Sequence, residues 1–149
     1  MALNDAGKMV DRWRHEIENK FPDIDVVEFV VMPNHIHGMI CIAGRTPVAG
    51  QTHRSAPTDR VNLQKIIQWY KTMTTNEYIR NVKQNGWVPF KGKLWQRNYY
   101  EHIIRSEKSL EQIREYIMNN PVKWDSDELN PHKTVGADLR VRPNLQILI

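Results

Sequence analysis

The chain has 149 residues, of which 40% are hydrophobic and 26% charged, proportions that suit one globular domain and exclude collagen-like, mucin-like and disordered classes. Its apolar runs stay far below the roughly 18 consecutive residues of a membrane span, and the mean hydropathy of -0.61 agrees, so no membrane partner is expected. A single cysteine, Cys41, forms no intramolecular disulfide and builds no Cys-rich zinc cage, which leaves His, carboxylate or amide groups as the ligands for any metal.

Met1 to Asp11 carries Asn4, Asp5 and Asp11 where a signal peptide needs a basic start and an apolar stretch, so a cytoplasmic location is expected. The net charge of +4 is unevenly spread. Between Arg60 and Arg105 nine basic residues face only Glu77 and Glu101, a local +7 that leaves the remainder at -3. Clustered Lys and Arg favour a polyanion through counterion release, although a solvated helix face can carry the same pattern.

In chain order, Met9, Val10, Trp13 and Ile17 recur at helical spacing behind a cap at Asn4 or Asp5, which predicts an amphipathic helix over Asp5 to Asn19. Val26 to Met32 is β-branched and aromatic and predicts a strand. Met32-Pro33-Asn34 breaks it before a second strand from His35 to Ile42, and the two read as a hairpin. Ala43 to Thr58 reads as a long loop with a disordered tip. Val61 to Val82 predicts a long helix with Lys65, Lys71, Arg80 and Lys83 on its polar face, and Asn85-Gly86 predicts a turn. In the aromatic stretch that follows, Tyr99 to Ile104 is the best strand candidate. Ser109 with Gln112 has capping-box spacing for a helix ending before Pro121, and Leu145 to Ile149 is a candidate late strand.

The feature with most chemistry is His35-Ile36-His37. Side chains two apart on a strand point to one face, so the two imidazoles lie side by side and could share one ion, while Ile36, Ile40 and Ile42 face the core. A lone His-x-His is weak evidence, since two histidines on a half-exposed strand satisfy the same pattern. The second feature is Tyr116, four residues before Asn120 and so on the same helical face, beside the Leu110, Ile113 and Ile117 stripe. It reads either as a rim residue with its hydroxyl in water or as a covalent nucleophile.

Three ordered motifs resemble one family. They are His35-Ile36-His37 behind Met32-Pro33-Asn34, then Leu94-Trp95-Gln96-Arg97-Asn98-Tyr99-Tyr100-Glu101-His102, then Arg114-Glu115-Tyr116-Ile117-Met118-Asn119-Asn120-Pro121-Val122. Together they are similar to the single-tyrosine transposases of the HUH type, in the REP-associated branch related to insertion sequence 200/605-like enzymes. The resemblance spans Leu3 to Pro131, and the basic helix with Lys71 fits it.

That resemblance implies an α+β fold, an antiparallel sheet flanked by helices of the ferredoxin-like or RRM-like HUH type. Residues 1–131 would form the transposase domain and 132–149 a tail with a candidate extra strand. It implies metal ligands at His35, His37 and Asn120, Mg2+ or Mn2+ as cofactor, and Tyr116 as the nucleophile that leaves a 5'-phosphotyrosine and a free 3'-hydroxyl. It also implies single-stranded DNA with hairpins as substrate and a homodimer as the assembly. Lys65, Lys71, Lys91, Lys93, Arg97 and Arg105 would neutralise phosphates, and Trp87, Trp95, Tyr99 or Tyr100 would stack bases, with Trp95 and Tyr99 better suited to the core.

Relatives usually begin with a further strand running through the middle of the sheet, and the chain has no residues for it ahead of the first helix. The His-bearing strand therefore needs another partner for its backbone groups, either the tail around Leu145 to Ile149 or a strand of a second copy. The competing readings are a DNA-binding module without efficient chemistry and an RNA-binding protein of the same topology.

Overall fold

A computed structural model of the chain describes residues 2–42, 62–126 and 146–148. Among these, helix α1 spans Asp5–Lys20, strand β1 Ile24–Val31, strand β2 His35–Ile42, helix α2 Leu63–Asn85, helix α3 Glu107–Asn119 and strand β3 Gln146–Leu148. The architecture is α+β, a hairpin-based sheet with helices on both faces. The predicted loop from Ala43 to Thr58 lies outside the described residues, as do Leu145 and Ile149.

Helix α1 starts where Asn4 accepts the Gly7 N–H through its side-chain oxygen at 2.8 Å, and Asn62 caps α2 in the same way through the Lys65 N–H. Gly86 ends α2 in the left-handed conformation, φ 68°, which a side chain at that position would strain. The predicted cap of α3 is corrected by three residues. Ser106, in extended backbone, accepts the Ser109 N–H with its hydroxyl oxygen, so Ser109 lies inside the first turn.

β1 and β2 are antiparallel in the register Val31↔Ile36, Val30↔His37 and Phe29↔Gly38, with a bulge between Val26 and Glu28. Directly opposed residues share a face, so Phe29, Val31 and Ile36 look toward α1 and α2, where Met9, Val10, Ile17, Ile66, Ile67 and Tyr70 complete the core. Gly38 leaves little room for a side chain on that face. A Cβ there would come within 3.3 Å of the Phe29 ring, which packs edge to face on Tyr70. The Tyr70 hydroxyl donates to the Val10 carbonyl, tying α2 to α1, and Glu77 accepts from both Arg12 and the Trp13 indole across the same helix pair.

The opposite face of the sheet carries Glu28, Val30, His35, His37 and Met39, and α3 packs against it through Ile117 and an ion pair between Arg114 and Glu28 at 3.1 Å. β3 lies along the other edge of β2, paired in parallel as His35↔Gln146, Ile36↔Ile147 and His37↔Leu148. The His-bearing strand is thus central, flanked by β1 and by a piece of the tail. The anticipated strand over Tyr99 to Ile104 is not formed. Only isolated bridges occur at Trp95 and Tyr100, and the segment runs as irregular chain with Tyr100 and Ile103 exposed, with no extended neighbour among the described residues to complete a ladder. No described helix is long and apolar enough to cross a membrane.

Candidate functional site

The hairpin turn sets the site. Met32 N–H donates to the His35 carbonyl at 2.8 Å, closing a two-residue connection of Pro33 and Asn34 and starting β2 at His35. From there the pleat puts His35 and His37 on one face, as the spacing predicts. Their Nε2 atoms lie 3.0 Å apart and the rings meet nearly at right angles. Both residues are buried, 1% and 2% exposed. The alternative of two histidines on a half-exposed strand does not hold: Tyr116, Asn120 and Trp124 lie against the pair.

Asn120 caps the C-terminal end of α3 and is 4% exposed. Its carboxamide Nδ2 lies 2.8 Å from His37 Nε2, where the ring nitrogen accepts. A half-turn of the carboxamide exchanges nitrogen for oxygen in the same place, so the side chain offers a donor to a bare imidazole and an acceptor to a cation. Tyr116, one turn earlier, sets its ring edge to face with His37 at 5.5 Å between centroids, yet remains 57% exposed. One chain therefore brings together the imidazole pair, the carboxamide and the phenol. The phenol is open to solvent while the three other groups are not.

Two residues of the site were not marked as functional by the sequence. Asn34 places its Oδ1 2.7 Å from His35 Nδ1, and the Trp124 ring, in a short 3-10 turn after α3, lies 6.0 Å from the His35 ring. The signal for Asn34 was present, since it directly precedes the first histidine in the turn. Trp124 has no local pattern that separates it from an ordinary packing residue.

The basic residues fall into two groups. Lys65, Lys91, Lys93, Arg97 and Arg105 are exposed. Lys71 is half-buried and donates its Nζ to the Gln96 carbonyl at 2.8 Å, with the Tyr99 ring 5.7 Å away, and burial holds its ammonium below the usual lysine value. Lys71 thus fastens the 94–99 segment onto α2. Among the aromatics considered for base stacking, Trp95 is a core residue whose indole donates to Thr74 Oγ1 at 2.9 Å, and Trp87 and Tyr99 pack against the core. Tyr100 is exposed.

Cis ligands held about 2.1 Å from one octahedral ion are separated by about 3 Å, so the spacing of the donor atoms matches a shared divalent ion. Among the described residues no cluster of three or more His, Cys, Asp or Glu side chains exists, and the Asn120 carboxamide is the group of α3's end that lies against the pair.

An antiparallel hairpin carrying a same-face histidine pair, covered by a helix that carries a tyrosine, is an arrangement suited to phosphodiester chemistry. The family described as "Transposase IS200 like" matches residues 4–120, and the chain belongs to it. An uncharacterized protein of Haemophilus influenzae is 39% identical over 134 residues, 87% of this chain and 72% of that protein. A second protein of the same organism, named "Putative REP-associated tyrosine transposase", is 28% identical over 102 residues, 66% of this chain and half of its own length. No solved structure matches the chain. The resemblance read from the three motifs is thereby established at the level of the family, and with it a connection to DNA transposition.

Proposed function

We propose that the protein nicks single-stranded DNA bearing hairpins and transfers the cut strand through a 5'-phosphotyrosine at Tyr116, with Mg2+ or Mn2+ held by His35, His37 and Asn120. The observation that supports this most is the placement of the Tyr116 ring 5.5 Å from His37 while Asn120 reaches His37 Nε2 at 2.8 Å, all within one chain. A bound divalent ion would supply charge stabilisation on the transferred phosphoryl group.

Tyr116 performs the transfer itself. Its oxygen forms a bond to phosphorus as the bond from phosphorus to the 3'-oxygen breaks, the phenol proton leaves to solvent and the 3'-oxygen is protonated. Reversal by an incoming 3'-hydroxyl rejoins a strand without ATP. The exposure of Tyr116 suits a polymeric substrate, which has to reach the phenol from outside. Asn120 and Ile117 keep the helix that carries the phenol seated on the sheet, so that the nucleophile and the imidazoles stay on one side of the bound phosphate. Exposed Lys91, Lys93, Arg97 and Arg105 provide phosphate contacts along a single strand.

The test is incubation of the full chain with hairpin-bearing single strands and Mn2+, followed by denaturing electrophoresis. A covalent protein–DNA adduct that Tyr116→Phe abolishes without weakening binding supports the proposal. Binding without any adduct would leave a DNA-binding module, and preference for matched RNA would leave the RNA-binding reading. The homodimer is tested by the mass of the DNA complex, since the phenol and imidazoles of one chain already meet.

A further inference from the structure

We propose that single-stranded DNA reaches Tyr116 along one flank of α3 only, where Gln112 contacts the nucleotide next to the scissile phosphate, and that the carboxylates of the opposite flank keep the strand off it. For the role of Tyr116 this rests on the proposed function above, to which it adds the path of the substrate.

α3 has a buried line and two exposed flanks. Ile117, 3% exposed, marks the side that lies on the sheet. Successive residues of a helix are turned by about 100°, so Ser109, Gln112, Tyr116 and Asn119 fall to one side of that line and Glu107, Glu111, Arg114 and Glu115 to the other. Contacts fix which flank is which. Tyr116 and Asn120 lean on His37 of β2, whereas Arg114 pairs with Glu28 of β1. All three carboxylates of α3 therefore stand on the β1 side, where Glu28 adds a fourth against the one cation Arg114, and the flank that carries Tyr116 has none. Lys108 stands on the outward crest between the two.

Helix stability does not account for this stripe. Glu107 lies in the first turn, where the helix dipole favours an anion, but Glu111 and Glu115 lie beyond it. Their four-residue spacing also sets like charges side by side, which a helix alone disfavours. Toward a polyanion the arrangement has a direct effect. A phosphate chain crossing the β1 flank meets successive exposed carboxylates, while one running along the other flank meets a hydroxyl and two carboxamides.

Gln112 is exposed and lies one turn before Tyr116, with about 5–6 Å between their Cβ atoms. A strand with one phosphate at the phenol thus brings its neighbouring nucleotide within reach of the Gln112 amide. That amide donates to phosphate oxygens, and it both donates and accepts at base edges.

The test is photo-crosslinking of the full chain in a Tyr116→Phe background, which reads binding without the covalent step. Benzoylphenylalanine is placed in turn at Glu111, Gln112 or Glu115, with hairpin-bearing single-stranded DNA as the probe. Crosslinks are expected from position 112 and not from 111 or 115. Gln112→Glu, which keeps length and helix propensity, is expected to weaken binding about tenfold at low salt and less at high salt, since it puts a carboxylate in the path. Comparable crosslinks from 111 or 115, or unchanged affinity in Gln112→Glu, would overturn the path and leave the tyrosine chemistry intact. The expected crosslinks together with a wild type that forms no covalent adduct would sink the nucleophile and leave the path standing. Absence of any DNA binding would remove both.

Discussion

Asn120 lies 83 residues after His37 in the chain and 2.8 Å from its Nε2 in space. This hydrogen bond joins the C-terminal end of α3 to the middle strand and fixes where the preceding turn holds Tyr116. Since both groups are buried, replacing Asn120 by Leu leaves a ring nitrogen without that partner, which is expected to cost about 1–3 kcal/mol in urea unfolding. The same variant should bind Mn2+ more weakly than the wild type. An Asn120→Leu protein as stable and as metal-competent as the parent would remove the amide from the site.

The Arg114–Glu28 pair is the second tether of α3. Both side chains are partly exposed, so the pair adds no more than about 1 kcal/mol to stability. Arg114 nevertheless sits two residues before Tyr116, and the bulge at Val26/Glu28 brings Glu28 onto the face that α3 covers. Arg114→Ala is therefore expected to unfold close to the wild-type midpoint while forming the tyrosyl–DNA adduct on the order of tenfold or more slowly, because small misplacements of a nucleophile are expensive. Equal adduct rates would show that Ile117 and Asn120 alone seat the helix.

Gly38 stands directly behind the histidine pair, on the other face of β2. A Cβ would meet the Phe29 ring at 3.3 Å, and that ring has Tyr70 on its other side, so it has little freedom to yield. Gly38→Val is expected to lose about 1–3 kcal/mol through overpacking, visible as a lowered denaturation midpoint with an unchanged slope. A neutral result would mean that Phe29 has room to turn.

Tyr70 gives the pH dependence. Burial first, and the nearby Asp11 carboxylate second, hold its phenol well above the usual tyrosine value, with Arg14 opposing. The folded state thus keeps the proton that the unfolded chain releases near pH 10. Stability from this group is complete below that pH and declines as pH rises through and beyond it. Tyr70→Phe should be less sensitive to alkaline pH, while losing about 0.5–1.5 kcal/mol at neutral pH with the bond to the Val10 carbonyl. Parallel stability curves for the two proteins above pH 10 would contradict this assignment.

The two groups of basic residues separate by salt dependence. Removing one cation that neutralises a phosphate of a single strand lowers the slope of log affinity against log salt by about 0.7. Lys93→Gln is expected to show that decrease. Lys71→Met, whose Nζ holds the Gln96 carbonyl, is expected to leave the slope near wild type and to destabilise the 94–99 segment in hydrogen exchange. A full decrease in slope for Lys71→Met would return it to the DNA-contacting set.

Local pattern was enough for the elements that carry their own period or punctuation. The helix from Asp5, the strand from His35 to Ile42 and the turn at Gly86 follow from apolar spacing, β-branching and glycine, each a property of neighbouring residues. The pairing of His35 with His37 followed from the alternation of a strand, and the exposure of Tyr116 from its place beside the apolar stripe. The cap of α3 was misplaced because Ser106 and Ser109 have equal local claims, and only the start of the helix distinguishes them. The strand at Tyr99 to Ile104 failed for a different reason: β-propensity needs a neighbouring strand to express it, and the described residues place none there.

The sequence by itself thus determined the family, the α+β class and the three motifs, since these depend on residue order alone. Tertiary structure decided that Asn120, Asn34 and Trp124 converge on the histidines, that Gln146–Leu148 pairs with β2, and that Lys71 is a fastener. Contacts across 83 residues depend on how helices seat against a sheet, which is a balance of packing over the whole molecule and leaves no trace in any short window of sequence.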